Sequence, residues 1–398
     1  MRSPRFLFAA LVGVFVGVMA TVSGCASKVA LDHAVIAYDT ATADSVSKQL
    51  LLNIARARYD QPMHFTTISN IAATYRFTAN AGVGGALTGN NGDLLVPLIG
   101  ASAEENPTIS ISPMQGEEFT QRLLTPFQEQ RLTLLLRQGY DVDSLLRLMG
   151  AEIRLDEESG NVTVNHNRPS DHAGYVVYRR VMAHLSAIQD RHALYVEPLH
   201  FQIVWTVPES TMTPEAFAST YKDFSLEYEP EHHDYRVTKR VNGRVMISNY
   251  DPSVLTNEER VRLHAEADEA PANDVLLDIR PGHIGGEYPM HGRVRLRSFH
   301  EILTFIGRGM NEEPEFDVPP DARTPVIGEN PAHALEIAET QEAPAGSDLS
   351  VKWRNNYYSV RAQSGYQWNA KAFSLLYQLY QMSVSTAEQT GPAITIAK

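Results

Sequence analysis

Tyr75-Arg76-Phe77-Thr78-Ala79-Asn80-Ala81-Gly82-Val83-Gly84-Gly85-Ala86-Leu87 decides how the rest of the chain is read. Tyr75, Phe77, Ala79, Ala81, Val83, Gly85 and Leu87 form one apolar or small set, and the residues between them are mostly polar or small. Successive side chains of a strand point to opposite faces. A period of two therefore predicts a strand of about 13 residues, ~43 Å long, well beyond the usual five or six residues. Asn90-Asn91-Gly92-Asp93 has turn chemistry, and Leu94–Ala103 runs back with apolar and small residues. Thr108–Ser112 alternates again as a short strand. The expectation is a long amphipathic β-hairpin near the N-terminus.

Around this hairpin the period switches repeatedly between two and 3.6. Upstream, Asp44 is placed to cap a helix running to about Tyr59, with Val46, Leu50, Leu51 and Ile54 on one stripe. Downstream come helices over Glu117–Leu124, Glu129–Gln138 and Asp143–Met149, the last two stopped by Gly139 and Gly150. A hairpin turning at Glu158–Asn161, a helix from Ser170 to Ile188 and a strand over Leu194–Val207 follow. Thr213-Pro214 opens another helix with proline at its first position. Asn242-Gly243 between two alternating runs predicts a tight hairpin. Thr256-x-x-Glu259 and Ser298-x-x-Glu301 are capping boxes, with a strand over Val275–Ile279 between them. Residues 311–347 are acidic, Pro-rich and aperiodic, the pattern of a linker or long loop. The C-terminal part predicts a hairpin at Asn355-Asn356 and a helix capped by Asn369.

The fold class is α+β, with antiparallel hairpins interleaved with short helices in two or three packed units and no βαβ rhythm. The expected divisions are 1–24 a signal peptide, 25–43 a lipidated tether, 44–150 an N-terminal helix, hairpin and helical block, 151–310 a central α+β unit, 311–347 a linker, and 348–398 a C-terminal hairpin plus helix.

The first residues carry the most specific motif. Arg2 and Arg5 precede an apolar run from Phe6 to Ala20 and then Val22-Ser23-Gly24-Cys25. This is the order of a secretory signal, and the run is shorter than the ~20 residues a spanning helix needs. With cysteine directly after Ser-Gly, the segment resembles the lipobox of bacterial lipoproteins. The resemblance implies cleavage before Cys25, a diacylglyceryl thioether on its sulfur and an N-acyl chain of the palmitate type on its amine. These acyl groups are the only covalent cofactor expected. Ala26 and Ser27 follow, not the aspartate of an inner-membrane retention signal, which points to the outer membrane with the body in the periplasm.

Removing Arg2 and Arg5 from 34 basic residues leaves 32 against 47 acidic ones, a formal charge of −15. That balance argues against nucleic acid and against adhesion to anionic lipid through basic patches. Cys25 is the only cysteine. Once acylated, it leaves no thiol for a disulfide, a zinc site or a nucleophile.

Several blocks are similar to a family of uncharacterised bacterial envelope lipoproteins. They are Leu50–Tyr59 (LLLNIARARY), Pro107–Pro113 running into Gly116–Phe119, Leu123–Pro126, Val294–Ser298, and the closing hairpin with the Phe373–Leu379 helix. The resemblance implies an envelope location and a shared fold. It carries no catalytic residues.

For chemistry, His283, Glu287 and His291 are the metal candidates, since His, Glu and His suit zinc. Gly285, Gly286 and Pro289 preclude the helix on which their spacing would bring them together, and an extended segment holds each candidate ~13 Å from the next. A Gly-rich surface loop is the favoured reading. His232-His233 beside Glu229 and Glu231 reads as an acidic turn. Tyr357, Tyr358, Trp368, Tyr377 and Tyr380 read as packing of a small terminal unit rather than a carbohydrate platform. Of Arg56 and Arg58, one is expected to pair with a carboxylate and the other to be solvated.

The function expected from these features is that of a non-enzymatic outer-membrane lipoprotein, a structural or assembly component of the cell envelope with an envelope protein or its own copies as partner. An oligomeric lipoprotein whose 63–112 hairpins form an export pore is the alternative, because membrane β-strands need only ~10 residues. A periplasmic hydrolase is the third.

Overall fold

The computed structural model describes residues 35–86, 94–344, 349–362 and 367–383. The signal segment, Cys25, the start of the tether and the Asn90–Asp93 turn lie outside the described residues. The chain divides into two compact units. One takes in 35–46 and 64–117, the other 47–63 and 118–383 of the described residues. Helix α1 spans 35–57, so the helix expected to open at Asp44 is already running nine residues earlier.

The first unit is dominated by β1 (Phe65–Ala86) paired antiparallel with β2 (Leu94–Met114). The register runs from Phe65↔Met114 to Ala86↔Leu94 with one irregularity at Ile68/Asn70. β1 thus starts ten residues before the alternation, and the two short strands expected over Leu94–Ala103 and Thr108–Ser112 are one. Pro97 and Pro107 do not interrupt β2. A two-stranded ribbon consists only of edge strands, where proline is tolerated.

In the second unit the expected helical block is α2 (Glu117–Leu124), α3 (Glu129–Arg137) and α4 (Val142–Met149). β3 (Gly150–Asp156) and β4 (Val162–His166) form the predicted hairpin. α5 (His172–Gln189) is capped by Asp171, whose carboxylate accepts from the Gly174 amide at 3.2 Å. β5 (Tyr195–Pro208), α6 (Pro214–Asp223) and β6 (Ser225–Glu229) lead to β7 (Asp234–Ser248). Then come α7 (Asn257–Asp268), β8 (Asp274–Ile279), β9 (Met290–Leu296) and α8 (Phe299–Gly309). Both capping boxes form as predicted.

The strands make one sheet in the order β4-β3-β9-β8-β7-β5, with β6 also on β7. The α+β class is therefore present, with two local departures. β7 is a single strand, so Asn242-Gly243 makes no hairpin turn. β5 pairs along nearly all of β7, and the register shifts at Pro198/His200 opposite this dipeptide, a bulge. A Cβ on Gly243 would lie 2.8 Å from the Leu199 carbonyl oxygen, so the glycine serves close backbone approach rather than a turn. Because β7 continues, it pairs parallel with β8, and β7-α7-β8 is one βαβ unit in an otherwise antiparallel sheet. Helix α7 packs against this part of the sheet through Leu263 and Ala267, in a cluster with Leu199, Met246, Tyr250, Leu255 and Leu276.

Residues 311–336 are irregular, as their composition predicts, but they are packed into the body rather than free: Val318, Ala334 and Leu335 are buried. A buried segment without regular structure needs partners for its carbonyls. Arg147 and Arg179, both fully buried, supply them. Arg147 donates to the Pro331 and Ala332 carbonyls at 2.8 Å each, and Arg179 to Ala332 at 2.9 Å and Pro331 at 3.0 Å. Glu315 completes the joint, accepting from Tyr175 Oη at 2.9 Å, Arg147 at 3.2 Å and the Ala334 amide at 2.6 Å. Part of the expected linker is also a strand, β10 (Ile337–Thr340), which joins β12 (Asn356–Val360) and β11 (Ser350–Trp353) in a second sheet. α9 spans Trp368–Ser383. Asn369 is not its cap: its carbonyl oxygen accepts from the Glu336 amide at 3.0 Å and its amide donates to the Arg361 carbonyl at 3.1 Å.

Candidate functional site

Met290-His291-Gly292-Arg293-Val294-Arg295-Leu296 is β9. Its period-two alternation buries Met290, Val294 and Leu296 and leaves His291, Arg293 and Arg295 half-exposed on the opposite face. The neighbouring strands set acids against them. Asp278 of β8 lies opposite His291 and Asp274 opposite Arg295, while Glu152 of β3 lies on the other side of Arg295. Arg295 reaches Asp274 at 3.2 Å and Glu152 at 3.3 Å, and Glu152 also meets Arg154 at 2.7 Å and His166 at 3.2 Å. Acidic and basic residues thus face each other at His291–Asp278, Arg295–Asp274 and Arg295–Glu152, while Arg293 lies across from Arg154 and Leu276.

His291 is the most closely held member. Its Nδ1 lies 3.1 Å from Asp278 Oδ1, its Nε2 2.8 Å from Glu266 Oε1 and 3.8 Å from Asp156 Oδ2. Asp278 is nearly buried. Its Oδ2 accepts from Tyr250 Oη and, at 2.7 Å, from Arg280 Nε. Burial alone would raise this carboxyl, but His291, Tyr250 and Arg280 together hold it below the ordinary aspartate range. The hydrogen bond to Asp278, opposed by burial and reinforced by Glu266, lifts the His291 imidazole to about 9. At neutral pH the site is an imidazolium among three carboxylates, with one face open to solvent. Such a group can exchange its proton for a metal ion.

The structure does not bring the three sequence candidates together. His283 and Glu287 are exposed in the loop between β8 and β9, where Gly282 and Gly285 take φ of +85° and +80°. The His283 ring lies 5.4 Å from that of Tyr250. The strand β9 carries His291 out of that loop and onto the sheet, where among the described residues it groups with Asp156 and Glu266 instead. Gly285 packs on α5: its carbonyl lies 2.8 Å from His184 Nε2, and a Cβ there would strike Ile188 at 2.5 Å.

At the other end of the β3–β9 pair, beside α8, lies a polar cleft of about 380 Å³ with His166, Arg168, His300, Arg308 and Glu313 on its walls. Its floor is Arg297, buried over the Phe305 ring at 4.0 Å and donating to the Asn167 carbonyl at 2.6 Å. Burial draws the Arg297 pKa down to about 10.

The remaining sequence candidates serve packing or lie on the surface. His232 and His233 are exposed in the β6–β7 turn, with His233 Nδ1 3.4 Å from Glu209. Tyr358, Trp368 and Tyr380 are buried, and the Trp368 indole donates to the Ala334 carbonyl at 2.9 Å. Arg58 pairs with Glu339, and half-buried Arg56 donates to Asn53 at 3.1 Å. Asp156, Glu266 and Asp278 escape a reading of the sequence because they reach His291 from separate elements. The signal that was available is β9 itself, where a basic residue or histidine at every second position marks one charged face. No helix among the described residues is long and apolar enough to cross a membrane. No protein-family model, no curated protein and no solved structure matches the chain.

Proposed function

We propose that this chain is a non-enzymatic lipoprotein of the outer membrane, held by acyl chains on Cys25 with its body in the periplasm. It acts there as an assembly component of the cell envelope. The single observation that carries the assembly role is the β1–β2 ribbon. Its strands have 22 and 21 residues, roughly 70 Å at strand rise, and pair only with each other among the described residues. A lone two-stranded hairpin is marginally stable in water, and each of its outer edges offers unpaired backbone groups that another strand can satisfy. A further strand from a second copy or an envelope partner completes such a ribbon. The lipobox, the acidic composition and the resemblance to envelope lipoproteins support the location.

The alternation over residues 75–87 also favours a second reading, in which many hairpins close an outer-membrane barrel for export. Light scattering on the detergent-extracted full chain separates the two. An assembly of two or a few copies, or a stable complex with an envelope protein, supports the first, and a large ring that conducts in planar bilayers supports the second. Replacing residues 76–104 by Asn-Gly keeps the register between Tyr75 and Glu105 and removes most of the ribbon. An unchanged assembly in that variant refutes both.

A further inference from the structure

We infer that Asp156, Glu266 and His291 form a binding site for a divalent transition metal of the zinc type. The three side chains come from the end of β3, from α7 and from β9. They offer one nitrogen and two carboxylate oxygens, all within 4.8 Å of one another. Four-coordinate zinc with bonds of roughly 2.0–2.2 Å holds its ligand atoms roughly 3.4 Å apart. The His291 Nε2 distances to Glu266 and Asp156, 2.8 and 3.8 Å, lie on either side of that value. Shifts of under an ångström bring both histidine separations to it, and the two carboxylate oxygens lie within 4.8 Å of each other. Their side chains are between 30% and 45% exposed, which leaves the fourth position to water.

The surroundings match those of a metal-bound imidazole. A ligating histidine typically donates its second ring nitrogen to a carboxylate that fixes its tautomer and orientation. Asp278 does this for Nδ1, and is itself fixed by Tyr250 and Arg280. Arg293 donates to the backbone carbonyl of Glu266 at 3.1 Å, holding that turn of α7 to the sheet. The cations beside the site, Arg280 and Arg293, are engaged with Asp278 and with this carbonyl and leave the oxygens of Glu266 and Asp156 free to ligate. Two ligand carboxylates and a third behind the imidazole are better neutralised by a dication than by a single imidazolium proton. The mixed nitrogen and oxygen set selects zinc-like ions over magnesium, which takes oxygen ligands almost exclusively.

The test is calorimetric titration of the chelator-treated full chain in detergent with ZnCl2, with and without excess MgCl2. One zinc per chain is expected, undisturbed by magnesium. Asp156→Asn and His291→Ala should each weaken binding at least 10-fold, and Asp278→Asn, which touches no metal, by ~10–100-fold. Asp156 is half-exposed, so its substitution keeps the test valid should His291→Ala perturb folding. The double substitution His232→Ala with His233→Ala should leave binding unchanged. Absence of a saturable site, full affinity in Asp156→Asn, or loss of binding in the His232/His233 variant overturns the inference.

Discussion

Glu315→Ala is the perturbation with the clearest expected magnitude. Glu315 ties 311–336 to α4 and α5, accepting three hydrogen bonds within a site sealed from solvent. Burial alone would raise its carboxyl, but Arg147, the Ala334 amide, Arg179 and Tyr175 hold it below the ordinary glutamate range, so it is ionised in the folded protein. Removing it leaves Arg147, with no exposed surface, the carbonyls of Pro331 and Ala332 and, as its carboxylate partner among the described residues, Asp143 at 3.6 Å. Burial raises the Asp143 carboxyl despite Arg147 and Arg179, so it is a poor substitute counter-charge. Breaking a buried pair by deleting one partner costs about 3–5 kcal/mol, and on the order of 1 M should be lost from the urea midpoint. The control is Glu313→Ala, which deletes a partner of exposed Arg168 at 3.9 Å and should cost under ~1 kcal/mol. Urea unfolding followed by tryptophan fluorescence reads both, since the Trp368 ring lies 5.7 Å from the Arg147 guanidinium. Equal midpoints for the two variants would refute the view that this network seats the irregular segment.

Gly243→Ala should destabilise the protein by about 1–3 kcal/mol, because its Cβ meets the Leu199 carbonyl and the Phe201 ring; an unchanged thermal unfolding midpoint would contradict this close approach. His184 is buried with its pKa pushed down mainly by burial, so the unfolded chain binds the proton more readily. Its stabilising contribution is complete above the ordinary histidine pKa and falls as pH drops below ~6.5. His184→Gln should flatten the pH dependence of the urea midpoint between pH 6.5 and 5, and an unaltered slope would contradict this. Cys25→Ser should lose the acyl mass and retain the leader by intact-mass spectrometry. A free sulfhydryl on Cys25 of the wild-type protein would remove the basis for membrane anchoring.

What the amino-acid order determined alone is what depends on neighbours a few residues away. The alternation at Tyr75–Leu87, the capping boxes at Thr256 and Ser298, Pro214 at the start of α6 and the Ser-Gly-Cys motif are all local chemistry, legible without partners. The tertiary structure decided where distant segments meet. Asn242-Gly243 has the composition of a turn, yet β5 and β8 supply enough cross-strand hydrogen bonds to keep β7 extended through it. The acidic segment after residue 310 has the composition of a linker, yet Arg147, 168 residues from Glu315, anchors it. His291 was visible as a candidate, but its companions were not. A ligand set drawn from a strand end, a helix and a neighbouring strand leaves no spacing along the chain, because the sheet rather than the backbone sets the distances between them.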